Sequence, residues 1–209
     1  FRYAYEPFVF GKAKERDNRD TYAQAMKYFL IFTLLAFLFV VGYIDILRFI
    51  IGRDYWEGLK VVPIVMAAEI MMGVYFNLSF WYKLIDKTIW GAYFSGIGCL
   101  VLLAINVIFV PRYGYMACAW AGFAGYGVAM TLSYIVGQRK YPIAYPIGRC
   151  LSYVALAGVL CVGMLLANKH LSMWLAVAVN TLLIAVFAVY LVKRDFPLRS
   201  LPVIGKHFK

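Results

Sequence analysis

One strongly apolar stretch of the chain carries the residues best suited to chemistry. Glu69, Gly73 and Asn77 recur at every fourth position within VMAAEIMMGVYFNLSFWYK, so a helix places them along one side. A carboxylate can bind a cation or exchange a proton, and an amide can bind a polar substrate. Glu69 follows Pro63 by about 9 Å of helical rise, which places it nearer the outer face of a bilayer than its midplane.

An ionisable group within a membrane span is costly to insert and normally faces protein or a wet cavity. Three interpretations of Glu69 are therefore open. The carboxyl group is a structural hydrogen-bond partner, it lines a transport cavity, or it extends toward the outer interface and has little role. In the first two interpretations, the stripe with Asn77 faces away from lipid.

Other polar residues lie in or beside apolar stretches. Arg2 and Glu6 form an i,i+4 pair, which is either a local ion pair or a cation at a cavity mouth for an anionic substrate. Lys27 lies inside the first complete span, near its basic end. Asn106 and Asn180 lie in later spans, where interhelical hydrogen bonding is the better interpretation.

The composition predicts the environment that holds these residues. The chain of 209 residues is 64% hydrophobic and only 15% charged, and its charges cluster between long uncharged runs. This pattern is typical of an all-α polytopic membrane protein. The formal charge of +11 does not indicate nucleic acid, because topology alone explains basic residues between spans.

The pattern predicts six complete transmembrane helices, preceded by the end of an earlier helix. The complete spans are expected at about 22–44, 62–82, 88–110, 115–136, 150–167 and 171–192. Residues 1–21 form the end of the truncated helix and a cytoplasmic loop, and residues 22–137 a four-helix part. Residues 138–149 form a second cytoplasmic loop, 150–192 the last two helices, and 193–209 a basic cytoplasmic tail.

Lysine and arginine set the expected orientation. They are concentrated before the first span, in the loops at 83–87 and 138–149, and in the tail, and they are sparse in the alternate loops. By the positive-inside rule both termini of this segment are cytoplasmic.

Small residues recur at every fourth position in two spans, a spacing that lets helix backbones approach closely. The two sets are Ala117, Ala121, Gly125 and Ala129, and Gly91, Ser95 and Cys99.

Signals for catalysis are missing from the sequence. There is no GxSxG or HExxH motif and no aspartate-rich metal motif. The four cysteines form no CxxC pair, so they are expected to pack as small residues. We therefore expect no enzyme activity, no catalytic residue, no metal site and no cofactor.

The order of several motifs resembles one transporter family. DYWEGLKVVPIVMAAEIMMGVYFNLSFWYKLIDKT is followed by NVIFVPRYGYMACAW. These stretches resemble the carboxy-terminal half of polysaccharide-transport flippases, the Wzx-like branch of the multidrug/oligosaccharidyl-lipid/polysaccharide superfamily. The resemblance covers about residues 1–140, and the last two spans match only in kind. The matching features are Trp56 to Leu59, Pro63, Trp81 with Tyr82, Lys87 with Thr88, Asn106, and the turn Pro111 to Gly114.

This resemblance implies one lobe of a superfamily transporter, with an amino-terminal lobe of about six spans missing. The implied substrate is an undecaprenyl-diphosphate-linked oligosaccharide. It would be flipped across the bacterial inner membrane by alternating access for O-antigen, capsule or exopolysaccharide assembly. The family's cavity is typically cationic, and Arg2 and Lys27 are the best-placed cations here. Two alternatives are a drug or cation exporter of the same superfamily, with Glu69 as its acidic site, and a membrane-embedded glycan-assembly enzyme.

Overall fold

The computed structural model describes residues 19–195, which are helical along almost their whole length and contain no strand. The α-helices are α1 (Arg19–Gly42), α2 (Ile44–Leu47), α3 (Val62–Leu78), α4 (Phe80–Leu84), α5 (Ile89–Tyr113), α6 (Tyr115–Lys140), α7 (Ile147–His170) and α8 (Met173–Asp195). Two 3₁₀ segments, Arg48–Ile50 and Arg53–Val61, connect α2 to α3. The predicted helix end at the amino terminus, with Arg2 and Glu6, lies outside the described residues.

Six helical stretches are long and apolar enough to cross a membrane. They are α1, the stretch Arg53–Leu84, α5, α6, α7 and α8. A helix pairs its own backbone N–H and C=O groups, and this is necessary in hydrocarbon because hydrocarbon offers no hydrogen-bond partner. The chain is therefore an all-α multi-pass membrane protein, and the predicted fold class is confirmed.

The observed helix ends differ from the predicted ones by a few residues. We predicted that Pro111 ends the third span, yet α5 continues to Tyr113. Pro111 removes only the bond that its missing N–H would make to the carbonyl of Val107, and this loss is tolerable in a last turn. The helix stops at Gly114, whose φ of +56° and ψ of −141° suit glycine. Gly114 thus makes the tight turn into α6.

The span predicted at 62–82 is not one regular helix. It is interrupted at Ser79, where α3 ends and α4 begins. The Ser79 hydroxyl donates a 2.6 Å hydrogen bond to the carbonyl of Phe76, so the polar side chain is satisfied inside the membrane. This break lets α4 bury Phe80, Trp81 and Tyr82.

The described chain divides into two compact units. The first unit contains residues 19–30 and Lys60–Ile147, and the second contains Ile31–Leu59 and residues 148–195. In the first unit α6 packs on both α3 and α5. As predicted, residues at every fourth position of α6 are buried. The predicted set, Ala117, Ala121, Gly125 and Ala129, continues with two further buried residues, Ser133 and Gly137.

Backbone contact between α5 and α6 occurs at a pair of glycines. A Cβ atom added to Gly98 would lie 2.8 Å from the carbonyl oxygen of Gly125, and the reciprocal distance is also 2.8 Å. Only glycine allows this approach at both positions. The small residues predicted to pack on α5 were Gly91, Ser95 and Cys99, but Ser95 and Cys99 are exposed, and the contact is made by Gly98 instead.

In the second unit the end of α1 meets α7 and α8 through a polar cluster. Asn180 is fully buried, and its Nδ2 donates to the carbonyl of Gly42 at 2.8 Å and to Oδ1 of Asn168 at 2.7 Å. The hydroxyls of Tyr43 and Thr181 are 2.8 Å apart. Asn180 therefore joins three helices by hydrogen bonds, which confirms the interhelical role predicted for it.

Candidate functional site

A cavity of about 200 Å³ lies in the first unit where α3, α5 and α6 meet. Helix α3 places Met72 and Tyr75 on its wall, whereas α6 places Tyr126 there beside two small residues. The complete lining is Met72, Tyr75, Ser95, Gly98, Cys99, Leu102, Gly125, Tyr126 and Ala129. Because the Gly98–Gly125 contact has no side chains to fill the neighbouring space, the cavity opens directly beside it.

The hydroxyl groups of Tyr75 and Ser95 belong to residues that line this cavity, and the hydroxyl of Tyr82 lies next to that of Tyr75. The Tyr75 hydroxyl is 2.9 Å from Oγ of Ser95 and donates to the carbonyl of Gly91 at 3.2 Å. The Tyr82 hydroxyl approaches Tyr75 at 3.5 Å, which is the weak limit of a hydrogen bond. A hydroxyl has one proton, so when Tyr75 donates to Gly91, Ser95 acts as donor to Tyr75. Ser95 is exposed on its other side, so it is the group that can exchange this bond for one to a ligand.

An aromatic cluster packs around the tyrosine that carries one of these hydroxyls, Tyr82. Trp81 is 1% exposed, and its ring centroid lies 6.4 Å from that of Phe94. Tyr82 and Phe94 have centroids 6.3 Å apart, within the range of favourable aromatic pairs. A Cβ atom on Gly137 would lie 2.8 Å from Nε1 of Trp81, so this indole packs directly on the backbone of α6. The cluster fixes the position of the tyrosines that carry the hydroxyls.

Among the residues that the structure describes, the cavity lining contains hydroxyls, aromatic faces and one thiol, but no charged side chain. Such a surface can hydrogen-bond and stack on a polar, uncharged molecule. Within residues 19–195, His, Cys, Asp and Glu side chains do not gather into a group of three that could hold a metal ion.

The predicted stripe on α3 separates into two environments. Glu69 is exposed, whereas Asn77 is 5% exposed. Asn77 donates from Nδ2 to the carbonyl of Gly73 at 2.9 Å, and its Oδ1 is buried without a hydrogen-bond partner. Eight residues of helix correspond to a rotation of about 80°, so the two side chains do not share one face. Gly73 lies between them against the ring of Phe29 on α1.

Two other predicted polar residues, Lys27 and Asn106, lie on helices other than α3. Lys27 is 9% exposed, and its Nζ lies 4.7 Å from the centroid of the Tyr28 ring, a distance that permits a cation–π interaction. Asn106 on α5 has a buried Oδ1 with no hydrogen-bond partner. The predicted interhelical bond is thus absent at this oxygen. Of the predicted site residues within 19–195, which are Lys27, Glu69, Asn77 and Asn106, none lines the cavity.

Sequence reasoning missed the residues that do form the cavity, among them Tyr75, Ser95 and Tyr126. A signal was present, because Tyr75 and Tyr82 are seven residues apart, nearly two helical turns, on the span that also carries Glu69. Tyrosine is so abundant in this chain, at 17 residues, that this spacing alone does not separate a site from packing. Comparison of the chain with protein-family models, with curated proteins and with solved structures finds no match.

Proposed function

We propose that the chain is part of a flippase that moves undecaprenyl-diphosphate-linked oligosaccharide across the bacterial inner membrane by alternating access. An oligosaccharide crossing a bilayer must exchange its hydration for other hydrogen bonds. The observation that carries the proposal is the uncharged hydroxyl and aromatic cavity among α3, α5 and α6, inside a unit built from membrane-spanning helices. Hydroxyls and tyrosine faces are groups that can replace water around a sugar.

The exposure of Glu69 supports the same proposal. A carboxylate on a membrane-spanning helix is unfavourable toward lipid, so the exposed side of α3 at Glu69 is expected to face protein or water. An additional lobe and an aqueous path would supply both. On this proposal the cytoplasmic termini and the inner-membrane location follow from the distribution of lysine and arginine, and the negative charge of the diphosphate is met by cations such as Lys27, Arg2 or those of the missing lobe.

Deletion of the gene tests the proposal directly. We expect lipid-linked repeat units to accumulate in the cytoplasmic leaflet, because their assembly continues while their transfer stops. The measurement is the fraction of these units accessible to a lectin added outside spheroplasts, compared with the same strain carrying the gene on a plasmid. Normal arrival in the outer leaflet, in a strain without a second flippase, would show that the proposal is wrong.

Glu69 gives a second candidate function, a drug or cation exporter of the same superfamily. Its exposed carboxylate is a suitable partner for a cationic substrate. Under this alternative, Glu69→Gln reduces efflux of a cationic dye by about tenfold, the loss of one charge-assisted contact. Under the flippase proposal the same variant changes oligosaccharide transfer or its pH dependence, and dye efflux is unaffected.

The variant should fold in either case, because a substitution at an exposed position usually changes stability by at most about 0.5 kcal/mol. Asp54→Asn is the matched control, since Asp54 is an exposed carboxylate in the 3₁₀ segment before α3. If transfer by Glu69→Gln equals that of the control across the pH range, Glu69 has only a structural role.

A further inference from the structure

A second cavity lies at the far end of the α5–α6 hairpin, near the turn at Gly114. It measures about 430 Å³, and the described residues that line it have apolar and aromatic side chains. Helix α5 provides one wall and the start of α6 the other: Ile105, Phe109 and Tyr113, then Met116, Ala117 and Trp120. Ile105, Phe109 and Tyr113 are successive i,i+4 positions, so the cavity is a groove that runs along the helix axis.

The groove has the dimensions of one membrane leaflet. From Ile105 to Tyr113 the helical rise is about 12 Å, and half of a typical hydrocarbon core is about 15 Å. Tyr113 is 65% exposed and Trp120 is 53% exposed. Exposed tyrosine and tryptophan at the end of a span are typical of the lipid–water interface. We therefore expect the groove to begin at the interface and to run along the depth of one leaflet.

A cation stands at the interfacial end of the groove. Arg112 precedes the lining residue Tyr113, is exposed, and lies in the last turn of α5. A guanidinium group matches phosphate oxygens in bidentate geometry and attracts anionic headgroups. This combination of a cation at the interface and an apolar channel of one-leaflet length is complementary to a lipid with an anionic phosphate headgroup and a straight acyl chain.

We propose that this groove binds an anionic diacyl phospholipid, with one acyl chain between α5 and α6 and the phosphate on Arg112. Neither the oligosaccharide substrate nor the flippase activity is needed for this proposal.

Quenching of Trp120 by brominated lipids tests the proposal. The full chain is reconstituted in vesicles that contain brominated phosphatidylglycerol or brominated phosphatidylcholine at equal mole fraction. The quenching lost in Trp120→Phe is the contribution of Trp120. We expect Trp120 to select phosphatidylglycerol by about fivefold, the effect of one basic side chain at an anionic headgroup. In Arg112→Gln the ratio of quenching by the two lipids should fall to about one, because the acyl chain still enters the groove but the phosphate contact is lost.

Arg53→Gln is the matched control, because Arg53 is an exposed arginine at the start of the 3₁₀ segment Arg53–Val61 and does not border the groove, and it should keep the preference. Equal quenching by the two lipids in the unmodified protein would overturn the proposal. A preference that persists in Arg112→Gln would overturn the assigned role of Arg112. Displacement of phosphatidylglycerol by a smaller mole fraction of undecaprenyl phosphate would assign the groove to a polyprenyl lipid and overturn the choice of a diacyl lipid.

Discussion

Gly98→Ala and Gly125→Ala should each destabilise the protein by about 1–3 kcal/mol, the usual cost of overpacking a tight contact. Each new methyl group would lie 2.8 Å from a backbone carbonyl oxygen of the facing helix. A backbone cannot swing aside as a flexible side chain can, so α5 and α6 must separate. The free energy of unfolding, measured by titration with sodium dodecyl sulfate in mixed micelles, checks the prediction.

Two other glycines of the same helices provide matched controls. Gly96 on α5 and Gly122 on α6 have no atom within 4 Å of an added Cβ. Alanine at these positions should leave the stability unchanged or raise it by about 0.5 kcal/mol, because glycine is the poorer helix former. If all four variants have equal stability, the close approach at Gly98 and Gly125 does not exist in the membrane.

The spans and the packing side of α6 could be predicted from the sequence because both depend on local pattern. A long uncharged run must be a helix in hydrocarbon, and small residues at a four-residue spacing mark the buried side from Ala117 to Ala129. On α5 the same rule selected a neighbouring face, that of Ser95 and Cys99. Helix α5 has small residues on two adjacent faces, and only the partner helix determines that Gly98 is the one in contact.

The cavity could not be predicted because its hydroxyl groups come from different helices. Whether Tyr75 meets Ser95 depends on the rotation of α3 relative to α5, which no spacing within either helix specifies. The stripe of Glu69 and Asn77 was wrong as a single face for a related reason. It treated every fourth residue as aligned, but four residues of a helix turn by about 400°, so the residual rotation is about 40° per step and about 80° over two steps. Asn77 is therefore buried while Glu69 is exposed.

Asn180→Leu should destabilise the protein by about 1–2 kcal/mol, because the variant loses a buried hydrogen-bond donor and leaves two acceptor oxygens without it. Leucine has the same branched arrangement of side-chain heavy atoms as asparagine, so the change removes polarity while keeping the shape of the side chain. The carbonyl of Gly42 and Oδ1 of Asn168 lose donors at 2.8 and 2.7 Å. Part of this cost is offset, because Oδ1 of Asn180 is buried without a partner and its removal is favourable.

A double-mutant cycle separates the hydrogen bond from the packing. The coupling free energy between Asn180→Leu and Asn168→Ala should be about 0.6 kcal/mol, the average for interhelical hydrogen bonds in membranes. Thr181→Val is the matched control on α8, because its hydroxyl bond to Tyr43 is at an exposed position, and it should cost less than about 0.5 kcal/mol. A cycle with zero coupling would mean that the hydrogen bond between Asn180 and Asn168 does not stabilise the protein, and the cost of Asn180→Leu would then come from the bond to the carbonyl of Gly42 and from packing.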